Sequence, residues 1–177
     1  MNKKNRPVVS DSIGGTDPNH KENRAFAASL SFIARKARSR METLEYLRRK
    51  GYSGPAATGA VKRLELYGYI NDADYAPMLV DSRMRANPRG ISALRGELAS
   101  KGIDESTIEA AVQNVDEHDA ARRAVERGLY RWRGSDRRSF FRKVMAFLGR
   151  RGFPYDVASE VCNEAWESVS GDSEEGS

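Results

Sequence analysis

Apolar residues recur along this chain at the three-and-four spacing of helices, and one pattern occurs three times. The first copy is Ala57, Ala60, Val61 and Leu64; the second is Ile108, Ala111, Val112 and Val115; the third is Ala158, Val161, Cys162 and Ala165. Each set follows i, i+3, i+4, i+7, which is one face of a helix. Six residues before each set lies a glycine: Gly51, Gly102 and Gly152, spaced 51 and 50 residues apart. A leucine precedes each glycine by four positions, a Lys or Arg by one, and an apolar residue follows it. The copies read Leu47-Arg-Arg-Lys50-Gly51-Tyr52, Leu98-Ala-Ser-Lys101-Gly102-Ile103 and Leu148-Gly-Arg-Arg151-Gly152-Phe153. Thr43, Leu94 and Val144 share the position eight before the glycine. A fixed period near fifty residues marks a repeat architecture, and each unit reads helix, tight glycine turn, helix. Glycine just past a helix end takes the left-handed conformation that closes the last turn. The base before it faces the negative end of the helix dipole. This local role is the favoured reading of the Lys-Gly motif, with direct contact to a ligand as the alternative.

The intervening stretches supply the remaining helices. The first is expected from about Arg24, with Phe26, Leu30, Ile33, Ala34 and Ala37 on one face. Ser39, with Glu42 three residues on, has the form of a capping box for a second helix, which buries Leu44 and Leu47. A third follows Ser53 with Pro55 in its first turn and stops at Gly68; Gly59 inside it costs roughly 1 kcal/mol relative to Ala. Tyr69 and Ile70 are expected to plug the junction to the next unit, with Asn71 or Asp72 capping helix four. Asn87-Pro88 reads as the start of helix five. Asp104 caps helix six, Asp116 opens a helix running through Leu129 to Trp132, Ser135 or Asp136 opens the eighth, and Pro154 the ninth, which fades near Val169. No segment alternates like a strand. The expected fold is all-α: three tandem three-helix repeats forming an elongated curved array. Its boundaries are repeat 1 at 24–71, repeat 2 at 72–115 and repeat 3 at 116–169. They are flanked by a disordered N-terminal segment, 1–23, and a disordered acidic tail, 170–177.

Charge changes this picture by its distribution. The net formal charge is +5. Residues 24–101 hold fifteen Lys/Arg against seven Asp/Glu, and residues 135–153 hold six against one. Residues 102–134 hold five against seven, and residues 154–177 none against seven. Basic stretches attract phosphate and acidic protein surfaces, although they also occur as solvated helix faces. No run has the length of a membrane span and the start lacks the apolar core of a secretion signal, so the chain is expected in the cytoplasm. Its single cysteine, Cys162, excludes an internal disulfide and lies on an apolar helix face.

Catalytic signatures are absent. The sequence has no nucleophile elbow, phosphate loop or dinucleotide fingerprint. His20 and His118 have no metal-ligand spacing to each other or to Cys162. Carboxylates such as Asp72 and Asp74, or Asp116 and Glu117, occupy first helical turns, where negative charge is favoured. Neither catalytic residues nor a metal or cofactor site are expected. Tyr130 and Trp132 have the chemistry to stack on bases, but their helical spacing fits a core role better.

One stretch resembles a known family. Gly68-Tyr-Ile-Asn-Asp-Ala-Asp-Tyr-Ala76, then Arg83, then Arg89-Gly90 and Leu94-Arg-Gly-Glu97-Leu98-Ala-Ser-Lys101-Gly102-Ile103 is similar to the RecX family of bacterial recombinase regulators. The likeness is most specific in the middle repeat and extends from about Ala25 to Ser168. It implies an all-helical protein of three tandem three-helix repeats, without enzymatic activity. Such a protein binds the RecA–DNA filament in its groove and suppresses filament growth, ATPase and strand exchange, in the setting of DNA repair and the SOS response. The sequence departs from the family at Gly54-Pro-Ala-Ala-Thr-Gly59, where the family has bulkier residues. The long N-terminal segment and the acidic tail also lie outside its pattern.

The expected partners are therefore a RecA recombinase filament and, weakly and salt-sensitively, single-stranded DNA, with a monomeric protein. The alternative is a helical module that acts on single-stranded DNA by itself. Arg83, Arg85, Arg89, Arg95 and Lys101 are the first candidates to touch filament or DNA, since Glu97 alone opposes them over that stretch. Arg138, Arg142 and Lys143 are the second group.

Overall fold

The computed structural model describes residues 18–171, and within them every regular element is helical. Of the expected disordered segments, 1–23 and 170–177, only residues 1–17 and 172–177 fall outside the described residues; residues 18–23 and 170–171 are instead helical, in the first and last helices. The helices are α1 (Pro18–Ile33), α2 (Arg40–Arg49), α3 (Gly54–Leu66), α4 (Asp72–Ala86), α5 (Ile91–Ser100), α6 (Glu105–Val112), α7 (Glu117–Gly128), α8 (Arg137–Gly149) and α9 (Tyr155–Gly171). A 3-10 turn, Leu129–Arg131, follows α7. They form three three-helix groups in chain order.

The repeated motif is a helix stop. Gly51, Gly102 and Gly152 have φ of 85°, 75° and 79°. In each copy the residue after the glycine donates its N–H to the leucine carbonyl five positions back: Tyr52 to Leu47 at 3.0 Å, Ile103 to Leu98 at 3.3 Å, Phe153 to Leu148 at 3.3 Å. The glycine N–H bonds the carbonyl three residues back, completing a Schellman turn. The leucines are fully buried, with Ile103 and Phe153 nearly so. The spacing of leucine and following apolar residue thus follows from the turn, which brings those two positions together. Gly68, with φ 69°, ends α3 in the same way, through Tyr69 N–H to Leu64 at 2.8 Å.

Of the twelve repeated apolar residues, nine are buried and Ala111, Val115 and Ala165 are half-buried. Thr43, Leu94 and Val144 are buried too. Repeat two gathers Tyr75, Ala76, Leu79, Val80, Leu94, Leu98, Ile103, Ile108 and Val112 into one core. Repeat three builds another around Phe140, Val144, Leu148, Val161 and Cys162, with Trp132 edge-on to Phe147 at 5.0 Å between ring centres. Burial pushes the Cys162 thiol up to about 11, as fits a packing residue.

By their internal contacts the described residues fall into two compact units: residues up to Lys36 with Thr43–Tyr69, and Ala37–Glu42 with Ile70 onwards. In the first unit α1 packs on α3. The buried face of α1 is Ala25 and Ser29, not the larger residues expected there; Phe26, Leu30 and Ile33 flank it half-buried, while Ala34 and Ala37 are exposed. Ser29 Oγ donates to the Ala25 carbonyl at 3.0 Å, which satisfies the buried hydroxyl. The opposing face of α3 is Ala57, Ala60, Val61 and Leu64. Small residues on both sides let the two helices approach closely. A Cβ on Gly59 would lie 2.2 Å from Glu22 Oε2, the far end of a flexible side chain that can move aside.

In the second unit the start of α2 is fastened to repeat two. Ser39 and Glu42 form the expected capping box, with Glu42 N–H to Ser39 Oγ and Ser39 N–H to Glu42 Oε2 both 3.1 Å. The Ser39 hydroxyl also donates to the Lys101 carbonyl at 2.7 Å, at the end of α5. Asn71, Asp104, Asp116 and Asp136 accept first-turn N–H bonds as N-caps of α4, α6, α7 and α8.

Several expectations are corrected. α1 begins at Pro18 rather than Arg24, because proline suits the first position of a helix. Asn87 closes α4 instead of opening α5: its N–H bonds the Arg83 carbonyl at 2.8 Å. α5 begins at Ile91 after Gly90, and Glu117 from the start of α7 accepts the Ile91 N–H at 2.7 Å. The cap comes from another helix, which local reading misses. α7 ends at Gly128, and the 3-10 turn carries Trp132 into the core. Ile70 is buried, but Tyr69 is 57% exposed, so the two do not act as a joint plug.

Candidate functional site

The five basic candidates of the middle repeat have carboxylate partners that the linear charge balance conceals. Arg83, in the last turn of α4, forks onto Glu97 of α5 through Nε at 3.1 and 2.9 Å to its two oxygens, with a further short contact from Nη2. Arg89 donates Nη1 to the same carboxylate at 3.1 Å. Glu97 is only 14% exposed at its side chain. The Arg83 hydrogen bonds, against opposing burial, hold its carboxyl below the usual range. Arg95 donates to Glu109 of α6 at 2.6 Å. Lys101 donates to Glu42 at 2.7 Å.

Glu42 collects three donors: Lys101 Nζ, the Ser39 N–H, and the Tyr75 hydroxyl at 3.1 Å. Burial works to raise this carboxyl, but the three donors outweigh it and hold it below its ordinary value. Tyr75 responds in the opposite sense, pushed up to about 12 by burial and by the Glu42 charge. Lys101 therefore holds Glu42, at the start of α2, and Arg83 ties α4 to α5. Only Arg85 of this group is exposed on α4 and without a carboxylate partner among the described residues.

The second group is placed differently. α8 carries Arg137, Arg138, Arg142 and Lys143 and no Asp or Glu anywhere in its length. Arg138, Arg142 and Lys143 are all exposed, and no ion pair holds any of them among the described residues. Lys143 reaches the Ser135 hydroxyl at 3.0 Å. Arg137 lies over the Phe141 ring at 5.4 Å. Buried Phe140, Val144 and Leu148 hold the opposite face of α8 in the core, which leaves the cations in solvent.

A third cluster has no counterpart in the sequence reading. Arg127 at the end of α7, Arg131 in the 3-10 turn and Arg151 after α8 line one cavity. Their sequence separations hide it; the sole signal was Arg127 and Arg131 at helical spacing. The aromatic pair divides here, with Trp132 in the core and Tyr130 69% exposed. His118 is half-buried at the surface, 3.2 Å from Glu164.

Comparison with known proteins matches this arrangement domain by domain. The first, second and third three-helix domains of RecX match residues 25–64, 71–112 and 116–162 in order. The chain belongs to the RecX family. A RecX relative from Mycobacterium sp. (strain KMS), named a regulatory protein, is 33% identical over 166 residues, covering 88% of this chain and 90% of its own length. The regulatory protein RecX of Streptomyces coelicolor is 32% identical over 163 residues, covering 90% of this chain and 87% of its own length. The crystal structure of RecX from Lactobacillus salivarius shares the fold with a TM-score of 0.70 at 22% identity, over 83% of this chain and 97% of that one. RecX membership and the three tandem three-helix domains accord with the sequence reading. Among the described residues no helix is long and apolar enough to cross a membrane.

Proposed function

We propose that this RecX-family chain is a non-enzymatic regulator that binds a RecA–DNA filament and inhibits its growth, ATPase and strand exchange. The observation that carries the proposal is the basic face of α8: Arg138, Arg142 and Lys143 are exposed, as is Arg137 over the Phe141 ring, on a helix with no carboxylate. Within α8 the i,i+4 pairing that neutralises solvated helix faces is impossible. Such a face suits phosphate or an acidic protein surface. Arg85 adds a further exposed cation on α4. Arg83, Arg89, Arg95 and Lys101 are the weaker contact candidates, because each would have to leave a carboxylate first.

The test is the triple substitution Arg138→Gln, Arg142→Gln and Lys143→Gln. None of the three side chains ties helices together, so the melting curve stays that of the parent. Inhibition of a cognate recombinase ATPase on single-stranded DNA is lost. A folded triple variant that inhibits as well as the parent refutes this face as the contact. If Arg85 and the three α8 cations all meet phosphate, binding to bare single-stranded DNA follows a log–log salt slope of about −3. A parent that binds bare DNA tightly and never inhibits recombinase belongs instead to the stand-alone DNA-binding reading.

A further inference from the structure

The cavity behind the α4–α5 connection is lined by three guanidinium groups and no carboxylate. It has a volume of about 170 Å³, below the range of drug-sized pockets and suited to a single compact group. Its walls include Arg127, Arg131 and Arg151, with Asn87, Gly128 and Phe147 between them.

Each arginine is held by neutral groups. Arg127 donates Nη1 to the Ala86 carbonyl at 2.9 Å. Arg151 donates Nη1 to the Asn87 side-chain oxygen, and to the Pro88 carbonyl at 3.4 Å, while its guanidinium lies 4.3 Å from the centre of the Phe147 ring. Among the described residues Arg131 bonds only the hydroxyl of its neighbour Tyr130, at 3.2 Å through Nε.

These bonds have a structural reading. Arg127 and Arg151 supply positive charge to the carbonyl end of α4, a favourable place for it. That role uses one nitrogen of each. A guanidinium carries five N–H donors. The Nη2 groups of Arg127 and Arg151 and both Nη groups of Arg131 have no protein partner among the described residues. Capping also gives no reason for Arg131. Like charge from Arg89, Arg131 and Arg150 bears on Arg151, which burial and this repulsion push below its ordinary value. Three clustered cations without an anion cost free energy, and a bound anion would relieve that cost.

We propose that this pocket seats one phosphodiester group of a single-stranded nucleic acid. Guanidinium forks match phosphate oxygens in paired hydrogen bonds. The exposed ring of Tyr130 beside Arg131 decides for a nucleic acid over an acidic peptide, since an aromatic next to a phosphate seat gives a neighbouring base a stacking platform. The site is separate from the exposed face of α8, and it rests on the nucleic-acid half of the proposed function.

The experiment uses the full chain with a fluorescent oligothymidylate, followed by anisotropy across a salt series. Arg131→Gln is the informative variant, because Arg131 supports no helix end. Arg133→Gln, two residues on and lining a different cavity, removes the same charge as a control. Arg131→Gln is expected to weaken binding and to flatten the log–log salt slope by about 0.7, the loss of one single-strand phosphate contact. Arg133→Gln should leave the slope as it is, and Tyr130→Ala should weaken binding with the slope unchanged. Equal losses in the two arginine variants would show a net-charge effect and overturn the site. So would no loss in Arg131→Gln, or polyglutamate that binds through Arg131 while oligothymidylate does not. A recombinase ATPase assay on the same samples separates the two readings. A parent that inhibits, with DNA binding indifferent to Arg131, sinks this site alone; a parent that never inhibits sinks the regulator reading.

Discussion

Gly90→Ala isolates a steric requirement that sequence position does not reveal. Gly90 has φ of −70°, open to any residue, so no backbone strain accompanies the change. What a methyl meets is the third glycine turn: its carbon would lie 2.1 Å from the Gly152 carbonyl oxygen and 2.4 Å from the carbonyl carbon. Those are backbone atoms and no rotamer change removes them. The Gly90 N–H donates to the Arg151 carbonyl at 3.0 Å, so separating the segments also breaks this bond. Overpacking of this kind costs about 1–3 kcal/mol and the lost hydrogen bond about 0.5–1.5. The expected destabilisation is about 2–4 kcal/mol. Gly96→Ala is the paired control. Gly96 is exposed inside α5 with nothing within 4 Å of the new methyl, so this substitution should stabilise by about 0.5–1 kcal/mol. Both tryptophans, Trp132 and Trp166, lie in repeat three, so their fluorescence in a urea titration reports this part of the chain. The two variants should melt apart in opposite directions from the parent. Gly90→Ala within about 0.5 kcal/mol of the parent, which is the scatter of ordinary surface changes, would refute the close approach.

Other substitutions test the turns and the ion pairs. Gly102→Val should destabilise by roughly 1 kcal/mol or more, since Gly102 has φ of 75° and its Cβ would lie 2.6 Å from Met41 Cβ; an unchanged denaturant midpoint would contradict both. Arg83→Glu should destabilise by about 1–3 kcal/mol in the same melt, because it removes the partner of largely buried Glu97 and sets a second carboxylate against it. Glu97 and Glu42 have folded pKa values below their ordinary 4.5, so their stabilisation is complete above that pH and is lost as pH falls through the depressed values. Melts of Glu97→Gln should show a shallower acid limb than the parent. Tyr75 runs the other way: raised from 10.0 to about 12, it contributes stability that is complete below pH 10.0 and is lost as pH rises through its folded value. A tyrosine absorbance titration should show one late-titrating ring that Tyr75→Phe removes.

Local physics made the helices legible in the sequence, and those of their ends that are closed by neighbouring residues; the α4–α5 boundary, capped from α7, was not. A Schellman turn is closed by bonds spanning three and five residues, so leucine, glycine and the following apolar residue must keep fixed offsets, and the repeat shows in the bare sequence. The capping side chains of Ser39, Asn71, Asp104 and Asp136 lie within three residues of the groups they satisfy and were legible for the same reason. Tertiary structure alone decided which charges remain free. Glu97 takes two arginines, 14 and 8 residues away, and Glu42 takes a lysine 59 residues away. Counting charge along the chain left Lys101 and Arg83 available when helix packing had already spent them. The same packing put Arg127, Arg131 and Arg151 around one cavity and pressed Gly90 against Gly152. A helix face follows from spacing along one segment, whereas an ion pair or a close approach needs two segments brought together, and that proximity has no period in the sequence.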